Sequence, residues 1–126
     1  MLLVFVTVAP SPLHGLGLYA AQFIAQGTMV WQFMPGFDLE ISAADVEKLP
    51  APAQERMRHY AEYFAEDGKY WLSFDDDRFC NHSDDPNIVT QGGMEMYAAR
   101  DIQPGEEITC SYNKVIMTGY RPSSGG

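Results

Sequence analysis

Arg78-Phe79-Cys80-Asn81-His82-Ser83-Asp84-Asp85-Pro86-Asn87 is the stretch on which the reading of this chain turns, and Gly105-Glu106-Glu107-Ile108-Thr109-Cys110-Ser111-Tyr112 follows it about twenty residues later. An asparagine amide offers two donors and an acceptor, and beside it the backbone and imidazole of His82 can meet the edge of an adenine. Near the start, His14-Gly15-Leu16-Gly17 sets two glycines one residue apart. There the backbone can approach a ligand closely and take turn angles that a Cβ forbids. The third glycine and following helix of a dinucleotide-binding fingerprint are missing. Taken singly, each block reads as turn chemistry or a strand end. Their order and spacing carry the argument.

The rest of the chain narrows the function classes. At 126 residues it is one domain, long enough to bury a single core without metal or disulfide staples. Seventeen acidic residues against eight basic give a net charge of -9, which argues against a nucleic-acid backbone or an anionic membrane surface as main ligand and favours a cationic partner. Cys80 and Cys110 form no Cys-x-x-Cys pattern, so they read as small apolar residues in a reducing, cytoplasmic setting, with no metal site. The apolar opening Leu2 to Val8 has no Lys or Arg before it and is too short to span a bilayer. It reads as a buried strand, and the protein as one that is not secreted.

Short segments rich in β-branched and aromatic residues, punctuated by Gly, Pro, Asn and Asp, predict a mainly β fold of several small sheets. Strands are expected over 2–8, 17–20, 28–34, 37–41, 69–74, 87–91, 94–99 and 107–110, with Gly92-Gly93 as a two-residue hairpin turn. One helical insert is expected over about 42–66. Ser42 caps its first turn, Pro50 and Pro52 break it, and a second helix runs from about Ala53 to Ala65 with Met57, Tyr60, Ala61 and Phe64 as its apolar stripe. The domain is expected over 1–116 and a tail over 117–126.

The two blocks and the Gly-x-Gly resemble the signature of the SET-domain protein-lysine methyltransferases, which read Arg-Phe-x-Asn-His-Ser-Cys-x-Pro-Asn and Gly-Glu-Glu-Leu-x-x-Asp-Tyr. The resemblance covers roughly residues 9 to 113 and lacks the zinc-binding segments that flank many relatives. It implies a β-clip type fold in which the segment at Asn81-His82 and the segment ending at Tyr112 pass through one another in a knot-like crossing. It further implies that S-adenosylmethionine is held by Asn81 and His82, by the backbone of His14, Gly15, Leu16 and Gly17, and by packing of Phe79. Tyr112 is then both a cofactor contact and the catalytic residue, since an in-line methyl transfer needs alignment and a polar ring rather than a metal or a covalent nucleophile. The acceptor would be a lysine of a basic protein or peptide, such as a histone or histone-like protein, without direct contact to nucleic acid. If the source is eukaryotic or viral, a nuclear setting replaces the cytoplasmic one.

The chain departs from the family at Ser111, where Asp or Asn is usual, and at Met34-Pro35-Gly36, where many relatives have Tyr-x-Gly walling the lysine channel. Tyr60, Tyr63, Tyr70, Trp71 and Tyr97 are candidate replacements for that wall. Tyr120 or Val115-Ile116-Met117 would have to close the C-terminal side. Asp75-Asp76-Asp77 with Asp84-Asp85 lacks the alternation of a calcium loop and reads as a solvated loop or an acidic lip for a basic peptide. A rival reading keeps the fold but makes it a non-catalytic SET-like module that docks a partner.

Overall fold

The computed structural model describes residues 1–64, 67–90 and 94–111. Ten short strands, β1 (Val6–Pro10), β2 (Leu16–Ala20), β3 (Met29–Gln32), β4 (Leu39–Ser42), β5 (Glu62–Phe64), β6 (Lys69–Leu72), β7 (Asn81–His82), β8 (Ile88–Thr90), β9 (Glu95–Ala98) and β10 (Glu107–Cys110), make three small sheets. Their orders are β1-β2-β10-β7, β3-β9-β8 and β4-β6-β5. Helices α1 (Ala43–Glu47) and α2 (Ala51–Tyr60) and a 3₁₀ turn (Asp76–Phe79) complete the described elements. The mainly β architecture with a short helical insert is as expected from the sequence. No helix among the described residues is long and apolar enough to cross a membrane.

The core lies between the first two sheets, where Leu18, Ile24, Val30, Ile88, Ile102 and Ile108 are buried together. Leu18 and Ile108 sit opposite one another in the β2–β10 register, so the Gly-x-Gly strand and the second signature block share one wall of this core. A smaller cluster of Val46, Met57 and Ala61 fastens the two helices to β4 and β6 through Ile41, Tyr70 and Leu72.

Several boundaries differ from expectation, each for a local reason. The apolar opening is divided: Leu2 bridges to Trp31 and Leu3 bonds to Val30, while β1 begins at Val6 and runs on to Pro10 because its partners are Leu16 to Ala20. Phe5, between the two pieces, is exposed. Ser42 caps α1 as expected, its hydroxyl accepting from the Asp45 amide at 3.1 Å. Pro50 caps α2 and Pro52 sits in its first turn, where a missing N–H costs nothing. So α2 begins before Ala53. It also ends early, because Ala61 turns extended and Glu62–Phe64 pairs with β6 as an edge strand. Met57, Ala61 and Phe64 are buried as the apolar stripe required, but Phe64 reaches its site from a strand. Strands β8 and β9 pair antiparallel as the expected hairpin, whose Gly92-Gly93 turn lies outside the described residues.

Candidate functional site

Strand β7 is only Asn81 and His82, and it runs parallel to β10 with Asn81 opposite Thr109 and His82 opposite Cys110. The two signature blocks are therefore neighbours in space. Asn87 laces them together: its Oδ1 accepts from the Thr109 amide at 2.8 Å and its Nδ2 donates to the Glu107 carbonyl at 2.8 Å. With 2% of its surface exposed, this polar side chain survives burial because both ends of its amide are engaged.

The third block joins through Asn81. Its amide nitrogen donates to the carbonyls of His14 and Leu16, each at 3.0 Å, and to the Glu107 carboxylate at 3.1 Å. The glycines divide the work between them. Gly15 takes a φ of 44°, in the left-handed region, with open space where a Cβ would stand, whereas a Cβ on Gly17 would lie 2.4 Å from a Glu107 carboxylate oxygen. One glycine shapes the turn. The other admits the chain's own carboxylate.

His14, Gly15 and Leu16 are exposed, and His82 is half-buried with its Nε2 3.0 Å from Asp84. These residues would suit a ligand with an adenine edge and an amino-acid end: an exposed loop of backbone groups stands beside a buried amide of fixed orientation and an accessible strand end. Phe79 ends the 3₁₀ turn, where its ring meets the Arg78 guanidinium at 5.0 Å and the edge of Tyr60 at 6.0 Å. Tyr112, the expected catalytic residue, and the candidate closing segment beyond it lie outside the described residues.

A cleft with aromatic walls opens among Trp31, Phe33, Tyr60, Phe64 and Trp71 and reaches Cys110 and Ser111. Trp71 is packed between Phe33 and Phe64, with ring centroids 4.4 and 4.3 Å away. The indole nitrogens of Trp31 and Trp71 are buried with no hydrogen-bond partner among the described residues. Of the aromatics considered from sequence, Tyr60 and Trp71 line this cleft. Tyr63 and Tyr70 stack on each other, and Tyr97 bonds to Glu95. Met34, which departs from the family pattern, is not in the lining. Its amide is held by buried Asp38, which also takes the Met1 ammonium at 2.7 Å.

Asp77 opens into the same cleft and accepts from the Ser73 hydroxyl at 3.0 Å. Burial pushes its carboxyl up to about 6, with Asp75 and Asp38 acting in the same direction and Ser73 and the Met1 ammonium against it. The Cys80 thiol donates to the Ile108 carbonyl at 3.4 Å, and its hydrogen bond with Cys110, together with burial, pushes its pKa well up. It is a packed, unreactive thiol. Asp75 spends its carboxylate on the amides of Leu2 and Asp77, so the aspartate run is partly a structural turn. Trp31, Phe33, Phe64 and Asp77 were not marked as site residues by sequence. They come from three separate segments, Trp31 and Phe33 from one of them, and share no motif.

A SET-domain family profile matches residues 15–113. The chain belongs to the SET domain family. No curated protein matches it closely enough to count as a relative. Among solved structures it resembles a Plasmodium falciparum protein described as a candidate histone methyltransferase, at 22% identity and a TM-score of 0.61 over 87% of this chain and 94% of that one. It also resembles polycomb repressive complex 2 in an active, basal state, at 24% identity and a TM-score of 0.66 over 94% of this chain and 17% of that one. A further likeness is to the Chaetomium thermophilum complex in an autoinhibited conformation bound to S-adenosylmethionine, at 23% identity and a TM-score of 0.64 over 89% of this chain and 15% of that one. The chain thus spans about a sixth of the polycomb chains. At these identities the likeness concerns the fold.

Proposed function

We propose that this SET domain transfers methyl groups from S-adenosylmethionine to the lysine side chain of a basic protein or peptide. The observation that carries the reading is that the three signature segments converge at Asn81, while an aromatic cleft lined by a carboxyl group reaches the residue next to Tyr112. When bound, the cofactor supplies an electrophilic methyl group on a positively charged sulfur. Asn81, His82 and the backbone of His14 to Gly17 would hold it, with Phe79 packing at its edge. On the acceptor side, Tyr60, Phe64 and Trp71 would enclose the apolar stem of a lysine and exclude water, and ring faces favour a cationic head group. The hydroxyl of Tyr112 and nearby backbone carbonyls would align the neutral amine with the methyl group.

Incubation with cofactor carrying a labelled methyl group and a mixture of basic proteins, followed by mass spectrometry, is expected to show lysine methylation. Tyr112→Phe should keep cofactor binding and lower turnover on the order of 100-fold, the size of one lost electrostatic contact to a transition state. Calorimetric binding of cofactor by the parent without any methyl incorporation would favour the docking-module reading instead. Binding of no cofactor at all would overturn the methyltransferase reading.

A further inference from the structure

Glu107 joins all three signature segments, and nothing in its residue type announces a role at a cofactor site. Both of its carboxylate oxygens accept from the Ser11 hydroxyl, at 2.9 and 2.8 Å, and one accepts from the Asn81 amide at 3.1 Å. The space it fills is the missing side chain of Gly17, where a Cβ would stand 2.4 Å from its Oε2 and 2.9 Å from the Ser11 Cβ. Every partner of the Asn81 nitrogen, two carbonyls and this carboxylate, can only accept. The amide therefore cannot be turned over, and its oxygen is committed to the opposite side. The donors that reach Glu107 are neutral, and among the described residues no Lys or Arg forms an ion pair with it. A half-buried negative charge is thus held directly beneath the His14–Gly17 loop.

We infer that Glu107 is a positioning residue that also selects ligand charge: it orients Asn81 and the loop, and its carboxylate favours S-adenosylmethionine over the demethylated product. This rests on the methyltransferase reading. Loss of the methyl group turns a cationic sulfonium into a neutral thioether, so substrate cofactor and product differ by one positive charge while sharing nearly all their shape. A single charge acting across a partly screened site distinguishes them by several-fold to about tenfold. The consequence is easier product release at a site that binds both molecules through the same groups.

Calorimetric affinities for S-adenosylmethionine and S-adenosylhomocysteine, measured on the parent, Glu107→Gln, Glu107→Asp and Ser11→Ala with thermal melts as a folding check, test this. Glu107→Gln keeps the size and the acceptor for Asn81 but not the charge. It should weaken the cationic ligand on the order of tenfold and the neutral one little, collapsing the ratio. Glu107→Asp and Ser11→Ala retain the charge and should loosen both ligands together, leaving the ratio at the parent's value. Equal weakening of both ligands in Glu107→Gln would make Glu107 a structural clamp without charge selection and overturn the inference, as would an unchanged ratio. If Glu107→Gln does not fold, the parent's own ratio across a salt series decides: a ratio that falls as salt rises supports the inference, and a ratio unmoved by salt overturns it. A parent that binds neither ligand fails the methyltransferase reading itself, which is a distinct result.

Discussion

Asp77 shows how one residue can set a pH dependence. Its native pKa of about 6 lies above the ordinary carboxylate value of 3.8, so between these pH values the folded protein binds more protons than the unfolded chain. The sign follows: this contribution to stability is full below about pH 4 and is lost as pH rises through about 6, a total of roughly 3 kcal/mol. Asp77→Asn preserves an acceptor for the Ser73 hydroxyl and removes the titration. Urea midpoints of parent and variant should converge near pH 4 and separate by pH 7.5, with the variant the more stable. Asn87 is the opposite case, a polar residue whose burial is fully compensated. Asn87→Ala strands the Thr109 amide and the Glu107 carbonyl, and should lower unfolding stability by about 2 to 6 kcal/mol in denaturant titrations, since each unmade buried bond costs about 1 to 3. The Asn of Pro86-Asn87 was legible as part of the signature. Its task as the lace between β10 and the preceding loop was not, because both of its main partners lie about twenty residues away.

At the scale of elements, β2 pairs side by side with β10, and Gly17 leaves the space that the Glu107 side chain fills. A methyl group there collides with the Glu107 carboxylate, which can move only by releasing Ser11 and Asn81. Gly17→Ala is therefore expected to leave the β1–β2 pairing intact but weaken cofactor affinity at least as much as Glu107→Gln, with a lowered melting temperature. Calorimetry and thermal melts on the same sample check both. Gly15→Ala meets open space but must hold a positive φ, so its penalty is backbone strain of order 1 kcal/mol rather than a clash. The Gly-x-Gly spelling is the same for both glycines, and only the fold separates their roles. Strand β10 was read with its observed bounds because Glu107–Cys110 alternates cleanly. Strand β5 was folded into a helix because Phe64 continues the period of Met57 and Ala61, and the competing backbone bonds to β6 lie beyond any local pattern.

Over the whole molecule, the charge of -9 and the acidic residues around the 3₁₀ turn make a long-range prediction. If a basic peptide is steered to the aromatic cleft, raising salt should lower kcat/KM on a Lys/Arg-rich substrate while kcat at saturation changes little, because exposed charges farther apart than about 10 Å are screened at 0.1 M salt. Asp76→Asn together with Asp84→Asn and Asp85→Asn should flatten that salt slope. Steady-state kinetics across a salt series decides it, and a slope equal to the parent's would leave these residues as a solvated rim. The fold class, the family and the order of the three signature segments were determined by the sequence itself, because they are written in short motifs whose spacing and residue types are local. The aromatic cleft, the raised carboxyl of Asp77 and the Ser11–Glu107–Asn81 junction were decided by tertiary structure alone. Each depends on groups from distant segments meeting in a shared low-dielectric space, where burial and hydrogen-bond partners, and not identity in the chain, set what a side chain can do.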